Sequence, residues 1–197
     1  MGFTDQFQSP HGLMGSLMLS GMNIGHGKMA TWGFTQFEMP RSGVLLDIGC
    51  GGGANVKRML EKSEDALVYG VDISAASVEK SRKTVGRYLG ERCEIFQGSA
   101  EQLPFDDGVV DLATAFETVY FWPDLTVCFR EVHRILKKGG IFAVINDPGD
   151  QGKNWEDKIP GMTAYSAADI ERLMLEAGFT EIKASSDKNS YCVIGAA

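Results

Sequence analysis

A strand-like apolar run that ends in an acid and a cluster of glycines, residues 45–53, constrains this chain more than any other segment. The run stops at Asp47, and four of the six residues after it are glycine. Glycine allows a positive φ and lets a ligand approach the backbone without a Cβ in the way. A helix that begins after such a loop presents free N–H groups and a partial positive charge to that ligand. The segment therefore predicts a buried strand, a tight loop and a helix that together bind a ligand.

From about residue 44 onward, short apolar runs alternate with segments of helical periodicity. This alternation indicates an α/β fold with a doubly wound, mostly parallel sheet that helices cover on both faces. Only a short turn, 187–189, separates the last two runs, so these strands must form an antiparallel C-terminal hairpin. The helix after the fourth strand is predicted to stop at Gly139 and Gly140. The predicted strands are 44–48, 66–71, 93–96, 109–116, 141–145, 180–184 and 191–194.

The first forty residues follow a different pattern. They are rich in methionine and glycine and show no strand periodicity. Two short helices, 10–21 and 25–37, are predicted to form an N-terminal helical cap on the main domain. This divides the chain into a cap segment, 1–40, and a main domain, 41–197. Met14, Met18 and Met22 fall one helical turn apart, which fits either core packing or a surface that covers a substrate.

Charge and cysteine usage limit the partners and the compartment. A net charge of -7 argues against a broad nucleic-acid surface, and the mildly basic segment 82–92 is typical of a solvated helix face. The apolar segment 13–19 is too short to span a bilayer and lacks the preceding cations of a signal peptide. No two of the four cysteines have C-x-x-C spacing, which favours reduced core thiols. We therefore expect a cytoplasmic protein with no nucleic-acid partner, membrane span or metal site.

Three phosphate- or nucleotide-like ligands compete for the glycine loop. A Walker-type loop is excluded because Gly53 is followed by Ala54 rather than by Lys and a hydroxyl residue. A dinucleotide fingerprint remains possible, although its third glycine would stand one place early. The pattern acid-x-Gly-x-Gly-x-Gly of S-adenosylmethionine (AdoMet) sites fits at every position, with Asp47, Gly49, Gly51 and Gly53. An acid before the loop favours the cationic AdoMet over an anionic pyrophosphate.

A second acid, Asp72, stands at the end of the second predicted strand. A carboxylate in that position can accept hydrogen bonds from both hydroxyls of a ribose. Sites for AdoMet and for nicotinamide dinucleotides share this feature, so Asp72 indicates an adenosine ligand without separating the two. The alternative is that Asp72 caps the next helix, although Ser74 could serve as that cap instead.

Four segments, in this order and spacing, resemble class I AdoMet-dependent methyltransferases, in particular the subgroup similar to the quinone-biosynthesis C-methyltransferases. They are 46–53, 70–74, 97–106 and 131–140. The resemblance covers residues 44–146. It implies a Rossmann-like, seven-stranded sheet whose last strand is inserted antiparallel, which agrees with the predicted hairpin.

The resemblance also implies the roles of individual residues. Gly49 and Gly51 would line the methionine part of AdoMet, and Asp47 would lie near its amino end. Asp72 would hold the ribose. The remaining predicted cofactor contacts are Ile73 on the adenine, Ser99 and Ala100 at the adenine edge, and Phe116 at the end of the fourth strand. After that strand the chain departs from the Leu-Arg-Asn-Val pattern of many relatives, so specificity for quinones does not carry over.

The methyl acceptor should approach from the loops after the fourth and fifth strands. Methyl transfer depends mainly on proximity and orientation, and a base is needed only if the acceptor must lose a proton. The predicted catalytic residues are His26, Glu117 and Tyr120. His26 lies between two glycines, which suits close approach to a ligand, but a polar loop histidine would have the same neighbours. Further acceptor-side candidates are Phe121, Trp122, Asn146 and Asp147.

Three functions follow from this sequence. The first is a methyltransferase that uses AdoMet to methylate a small-molecule acceptor. The second is a nicotinamide-dependent oxidoreductase, which Asp47 and the lack of a Tyr-x-x-x-Lys motif disfavour. The third is a non-catalytic AdoMet-binding protein, because methyl transfer demands no single residue.

Overall fold

In a computed structural model, residues 27–147, 162–188 and 190–197 are described, and strands alternate with helices along most of them. Five helices are defined: α1 (Gly27–Gly33), α2 (Ala54–Lys62), α3 (Ala75–Val85), α4 (Leu125–Ile135) and α5 (Ala167–Ala177). The strands are β1 (Ser42–Ile48), β2 (Asp65–Asp72), β3 (Cys93–Gln97), β4 (Val110–Phe116), β5 (Leu136–Asn146), β6 (Thr180–Ser186) and β7 (Tyr191–Ala196). Short 3₁₀ turns follow α3, at Gly86–Tyr88, and β4, at Val119–Phe121. Every predicted strand is present within a few residues of its predicted bounds, except that β5 begins earlier.

The seven strands form one sheet in the order β3-β2-β1-β4-β5-β7-β6. Strands β3, β2, β1, β4 and β5 pair in parallel with their neighbours. Strand β7 lies between β5 and β6 and is antiparallel to both. This confirms the predicted Rossmann-like fold with its antiparallel C-terminal hairpin. The strand order reverses between β1 and β4, the place where open α/β sheets bind their ligands.

Helices cover both faces of the sheet because side chains alternate along each strand. Leu46 and Ile48 of β1 point to one face, where they join a core that includes Phe129 of α4. Leu45 points to the other face, where the core includes Val56 of α2. The same second face carries α3 and α1, so the sheet is wound on both sides as predicted.

The helix α4 ends earlier than its sequence pattern predicts. The helix was expected to reach Gly139 and Gly140, but it ends at Ile135, and both glycines lie within β5. Leu136 already has an extended backbone, with φ -73° and ψ 140°, and pairs with Val110 of β4. Pairing with a neighbouring strand therefore replaces the last predicted turn of helix, and α4 passes directly into β5.

Only part of the predicted N-terminal cap is described. The predicted helix 10–21, together with Met14, Met18 and Met22, lies outside the described residues, and the cap boundary at residue 40 stays a prediction. The predicted helix 25–37 is present as α1, which ends at Gly33. The backbone then tightens, since Gln36 N–H donates to the carbonyl of Gly33 three residues back. Gly33 packs α1 onto the ends of β4 and β5.

The structure also bears on the predictions made for the cysteines, for the basic segment 82–92 and for a membrane span. All four cysteines are buried and free, as predicted for core thiols. Segment 82–92 is not simply a solvated helix face, because Arg82 and Arg92 donate to backbone carbonyls of neighbouring elements. None of the described helices is both long enough and apolar enough to cross a bilayer.

Candidate active site

A cavity of about 160 Å³ opens at the carboxyl ends of the parallel strands, beside the reversal between β1 and β4. Its wall is formed by the loops after four strands and by residues of three helices. The lining residues come from α1 (Met29, Ala30), the loop after β1 (48–52), α2 (Ala54, Asn55, Arg58), the end of β2 (71–73) with Ser77, the loop after β3 (98–100) and the loop after β4 (116–118 and 121–123). The cavity brings together eight of the predicted site residues: Gly49, Gly51, Asp72, Ile73, Ser99, Ala100, Phe116 and Glu117.

The glycine loop needs glycine for two different reasons. Gly49 and Gly51 both have a positive φ, 74° and 52°, a backbone conformation that residues other than glycine rarely adopt. A Cβ on Gly49 would lie 2.0 Å from the hydroxyl oxygen of Thr118, so glycine is needed there for close packing of two loops. A Cβ on Gly51 would meet nothing within 4 Å. Gly51 therefore leaves the backbone open to the cavity, as a ligand-binding loop requires.

Asp72 joins the end of β2 to this loop. Its carboxylate accepts hydrogen bonds from the N–H of Gly51 at 2.8 Å and from the N–H of Ser74 at 2.9 Å. Burial raises the pKa of Asp72, and the backbone hydrogen bonds oppose that rise. The cap of α3 is Ser74, whose hydroxyl accepts from the N–H of Ser77 at 3.3 Å. Asp72 is thus free of the capping role and faces the cavity.

The wall after β2 and β3 offers an apolar platform. Ile73 is 64% exposed although it is a large apolar residue, and its exposed side chain lines the cavity. An exposed apolar side chain at the rim of a cavity is suited to pack on a flat, apolar part of a ligand. Ser99 and Ala100 line the same wall, and the hydroxyl of Ser99 accepts from the N–H of Glu101 at 3.2 Å. This arrangement fits an adenine ring.

Asp47 lies behind the cavity wall and does not line it. The residue is 2% exposed, and its carboxylate accepts from the hydroxyl of Thr114 at 2.8 Å. Burial raises the pKa of Asp47 to about 7, the hydrogen bond from Thr114 lowers it, and the charge of Asp72 raises it further. Its predicted influence on the amino end of AdoMet would therefore act through its charge, from beneath the loop, rather than through direct contact.

Glu117 occupies an unusual backbone position at the cavity. Its φ of 55° is left-handed, a conformation that costs energy for a non-glycine residue and is frequent at functional sites. Its carboxylate accepts from the N–H of Asp147 and from the hydroxyl of Tyr120 at 3.4 Å. Burial raises the pKa of Glu117 to about 7, and the hydrogen bond from Asp147 opposes that rise. A carboxylate with a pKa near neutrality is suited to exchange a proton with a ligand.

The other predicted site residues are more dispersed. Tyr120 does not line the cavity, but its hydroxyl reaches Glu117, and burial raises its pKa well above the ordinary value. Asn146 is buried away from the cavity wall and donates to the hydroxyl of Tyr191 at 3.1 Å. Phe121 and Trp122 line the cavity as predicted. His26 lies outside the described residues.

Sequence reasoning missed two polar residues of α2 that line the cavity, Asn55 and Arg58. Their spacing of three residues on the helix that follows the glycine loop was the available signal, because residues three apart share a helix face. Arg58 is the one cationic side chain among the described residues that line the cavity. Two acids, Asp72 and Glu117, line it as well. This balance fits a ligand with an ammonium, a sulfonium and one carboxylate.

Comparison with known proteins connects this geometry to a family. The model of the methyltransferase domain family matches residues 46–144, which is half of the chain. The uncharacterized methyltransferase YdaC of Bacillus subtilis is 28% identical over 151 residues, covering 77% of this chain and 79% of the relative. The 24-methylenesterol C-methyltransferase 2 of Arabidopsis thaliana is 31% identical over 156 residues, covering 71% of this chain and 42% of the relative. This chain spans between 26% and 53% of the length of the other curated relatives considered.

Solved structures show the same fold. One is a chain from a complex between the Haloferax volcanii Trm112 methyltransferase activator and a putative methyltransferase, with a TM-score of 0.80 and 20% identity. The match covers 91% of this chain and 93% of that one. The family match decides between the two ligands that the glycine loop left open, and the cofactor is AdoMet rather than a nicotinamide dinucleotide. The chain belongs to the methyltransferase domain family, within the class I AdoMet-dependent methyltransferases.

Proposed function

We propose that this protein methylates a small, largely apolar molecule and that Glu117 accepts the proton which that acceptor loses. The observation that carries the proposal is the placement of a buried carboxylate in the same cavity as the glycine loop. AdoMet, when bound, supplies a methyl group activated by a positively charged sulfur. The residues of this chain then have three tasks: to hold the cofactor, to orient the acceptor and to take up a proton.

The cofactor would be held by the residues that resemble the family's binding motifs. Gly49 and Gly51 offer backbone to the methionine part, and Asp72 accepts from the ribose hydroxyls. The adenine would lie among Ile73, Ser99, Ala100 and Phe116. Asp47 supports the positive end of the cofactor from below. Two observations support this arrangement: the space beside the backbone of Gly51 is open, and the side chain of Ile73 is exposed.

The acceptor would lie against the loop after β4. Met29 of α1 and the aromatic side chains Phe121 and Trp122 line the cavity there. The rings exclude water and favour an apolar acceptor. Relatives are named for acceptors as different as a sterol carbon and an erythromycin oxygen, so the acceptor class is inferred from the lining of this cavity alone.

Glu117 would act as the proton acceptor, and its neighbours would position it. The N–H of Asp147 holds one carboxylate oxygen, and the hydroxyl of Tyr120 reaches the other at 3.4 Å. Tyr120 is therefore a positioning residue in this proposal. His26 remains a second predicted base.

Replacement of the carboxylate tests the proposal. We expect Glu117→Gln to keep its affinity for S-adenosylhomocysteine within about two-fold but to lower methyl transfer by about 10²–10⁴-fold, the usual contribution of a general base. Transfer is measured as tritium moved from methyl-labelled AdoMet to small molecules of a cell extract. In the wild type the rate should rise as the pH increases through about 7, because only the ionised carboxylate accepts a proton.

Glu176→Gln is the matched control, since it removes a carboxylate that pairs with Arg172 on the outer surface of α5. Its transfer rate and pH profile should equal those of the wild type. Full activity of Glu117→Gln would remove Glu117 from the reaction. AdoMet binding by the wild type without transfer to any extract component would instead support a non-catalytic AdoMet-binding protein.

A further inference from the structure

Three arginines among the described residues are half-buried, and Arg58 differs from the other two in its partners. Arg92 donates to the backbone carbonyls of Ser63, Ala66 and Leu60. Arg134 pairs with the carboxylates of Glu131 and Asp107. Among the described residues, the guanidinium of Arg58 makes one hydrogen bond, to the side-chain oxygen of Asn55 at 2.8 Å, and has no carboxylate within ion-pair distance. Most of its five donors thus remain for a ligand.

The position of Arg58 directs those donors to the cavity. Arg58 lies one turn into α2, directly after the glycine loop, and lines the cavity together with Ala54 and Asn55. The start of α1 lies against its guanidinium, since a Cβ on Gly27 would be 3.7 Å from Nη2. Asn55 therefore holds the guanidinium from its own helix, and α1 limits its access to solvent. An oriented, partly covered guanidinium is well suited to a planar carboxylate.

Charge complementarity identifies the ligand group. AdoMet carries one anionic group, the carboxylate of its amino-acid end, and Arg58 is the one cationic side chain among the described lining residues. The acids Asp72 and Glu117 in the wall and Asp47 beneath it would repel that carboxylate. We propose that Arg58, oriented by Asn55, binds the amino-acid carboxylate of AdoMet. This assignment rests on the proposed function, because it takes AdoMet as the ligand of this cavity.

A competing possibility is that Arg58 binds an anionic acceptor. Arg58 also borders a shallow depression next to Lys28 and Thr31 of α1, which would offer a second cation to such an acceptor. The two possibilities predict different behaviour for ligands that contain no acceptor. If Arg58 binds the cofactor, its substitution changes the affinity for S-adenosylhomocysteine even when no acceptor is present. If Arg58 binds the acceptor, its substitution leaves that affinity unchanged.

Calorimetric titration with two ligands separates these roles. S-adenosylhomocysteine carries the amino-acid end, whereas 5′-methylthioadenosine contains the adenosine and lacks that end. We expect Arg58→Gln to weaken S-adenosylhomocysteine by about 10–100-fold, since a charge-assisted hydrogen bond is lost. Its affinity for 5′-methylthioadenosine should stay within about two-fold of the wild type. Arg58→Lys, which keeps the charge, should recover most of the lost affinity.

Lys57→Gln is the matched control on the same helix. It also removes one positive charge, but Lys57 is exposed and pairs with Glu61 at 3.9 Å. Its affinity for both ligands should equal that of the wild type. The assignment would be overturned if Arg58→Gln lost affinity for both ligands equally, or lost affinity for neither. If the wild type bound neither ligand, the cofactor itself would be wrong, which is a distinct failure from a misassigned arginine.

Discussion

At the scale of single residues, Asp47 has opposite effects on stability and on ligand binding. Its pKa is about 7 in the folded chain against 3.8 for an unperturbed aspartate, chiefly because of burial. The folded state therefore favours the protonated form. The stability that this form contributes is fully present below about pH 4 and is lost as the pH rises through 7. At 1.36 kcal/mol per pKa unit, ionised Asp47 costs the empty protein on the order of a few kcal/mol.

We accordingly expect Asp47→Asn to stabilise the protein in the absence of AdoMet. An asparagine oxygen can still accept from the hydroxyl of Thr114, and no charge is buried. The melting temperature should exceed that of the wild type by several degrees at pH 8, and the difference should shrink as the pH falls toward 4. The same variant should bind AdoMet more weakly at pH 8, because a negative charge beneath the loop is gone. A melting temperature below that of the wild type at pH 8 would contradict this account.

Asp72 should matter to a different part of the ligand than Arg58. Loss of its carboxylate would remove the proposed hydrogen bonds to the ribose, so Asp72→Ala should weaken the binding of S-adenosylhomocysteine and of 5′-methylthioadenosine alike, by about 10–100-fold. Asp106→Ala, in the exposed loop after β3, should leave both affinities unchanged. Titration of the two variants with both ligands gives the comparison. Retained affinity in Asp72→Ala would exclude the carboxylate from the ribose site.

At this scale the sequence predicted the positions that carry a recognisable motif and missed those defined by packing. Gly51 and Asp72 belong to motifs at the ends of predicted strands, and the family resemblance implies Ile73; all three line the same cavity. Arg58 was missed although it shares a helix face with Asn55, since an arginine on an amphipathic helix looks the same whether it faces solvent or a cavity. Asp47 was predicted near the ligand. Because successive side chains of β1 point to opposite faces of the sheet, Asp47 instead lies buried beneath the loop.

At the scale of elements, two loops depend on each other through one close contact. The loop after β1 packs against the loop after β4, where Thr118 occupies the space of a Cβ on Gly49. Gly49→Ala would therefore displace Thr118 as well as strain a φ of 74°. We expect a loss of about 2–4 kcal/mol in the free energy of unfolding, as for other overpacked or strained sites, and a weaker affinity for AdoMet. Chemical denaturation measures the first and calorimetry the second.

Gly90→Ala supplies the control for that experiment. Gly90 has nearly the same φ, 77°, but a Cβ there would meet nothing within 4 Å. This variant should show the cost of the backbone conformation alone, about 1 kcal/mol, with unchanged ligand affinity. Equal destabilisation by the two substitutions would mean that Thr118 can move away from a Cβ on residue 49 without loss of stability.

The boundary between α4 and β5 shows which part of an element the sequence leaves undetermined. Ile135 and Leu136 continue the helical spacing of α4, yet Leu136 is extended because it pairs with Val110 of β4. The same apolar residue satisfies both patterns, so local periodicity could not choose between them. Gly139 and Gly140 are usual signs of a helix end, but here they lie inside a strand.

At the scale of the whole molecule, the sequence predicted the sheet well, since each parallel strand contains a short, largely apolar segment between turn residues. The reversal between β1 and β4 then places the cavity without further information. The covering elements were harder to predict. Helix α1 packs through small residues such as Ala30 and Gly33, which give a weak apolar signal, and it ends four residues before its predicted end.

The insertion of β7 between β5 and β6 also protects an edge of the parallel part of the sheet. Strands β1, β2 and β3 are neighbours both in the sheet and along the chain, so the half that holds most of the proposed cofactor contacts can form from short-range connections. Strand β5 pairs with β4 on one edge, and the partner of its other edge lies about 45 residues further along the chain, since Asn146 pairs with Tyr191. Pairings between distant segments form slowly, and an unpaired strand edge invites association with other chains. The hairpin thus covers the edge of β5 that faces away from β4, and a chain in which it has not yet paired exposes that edge to other chains.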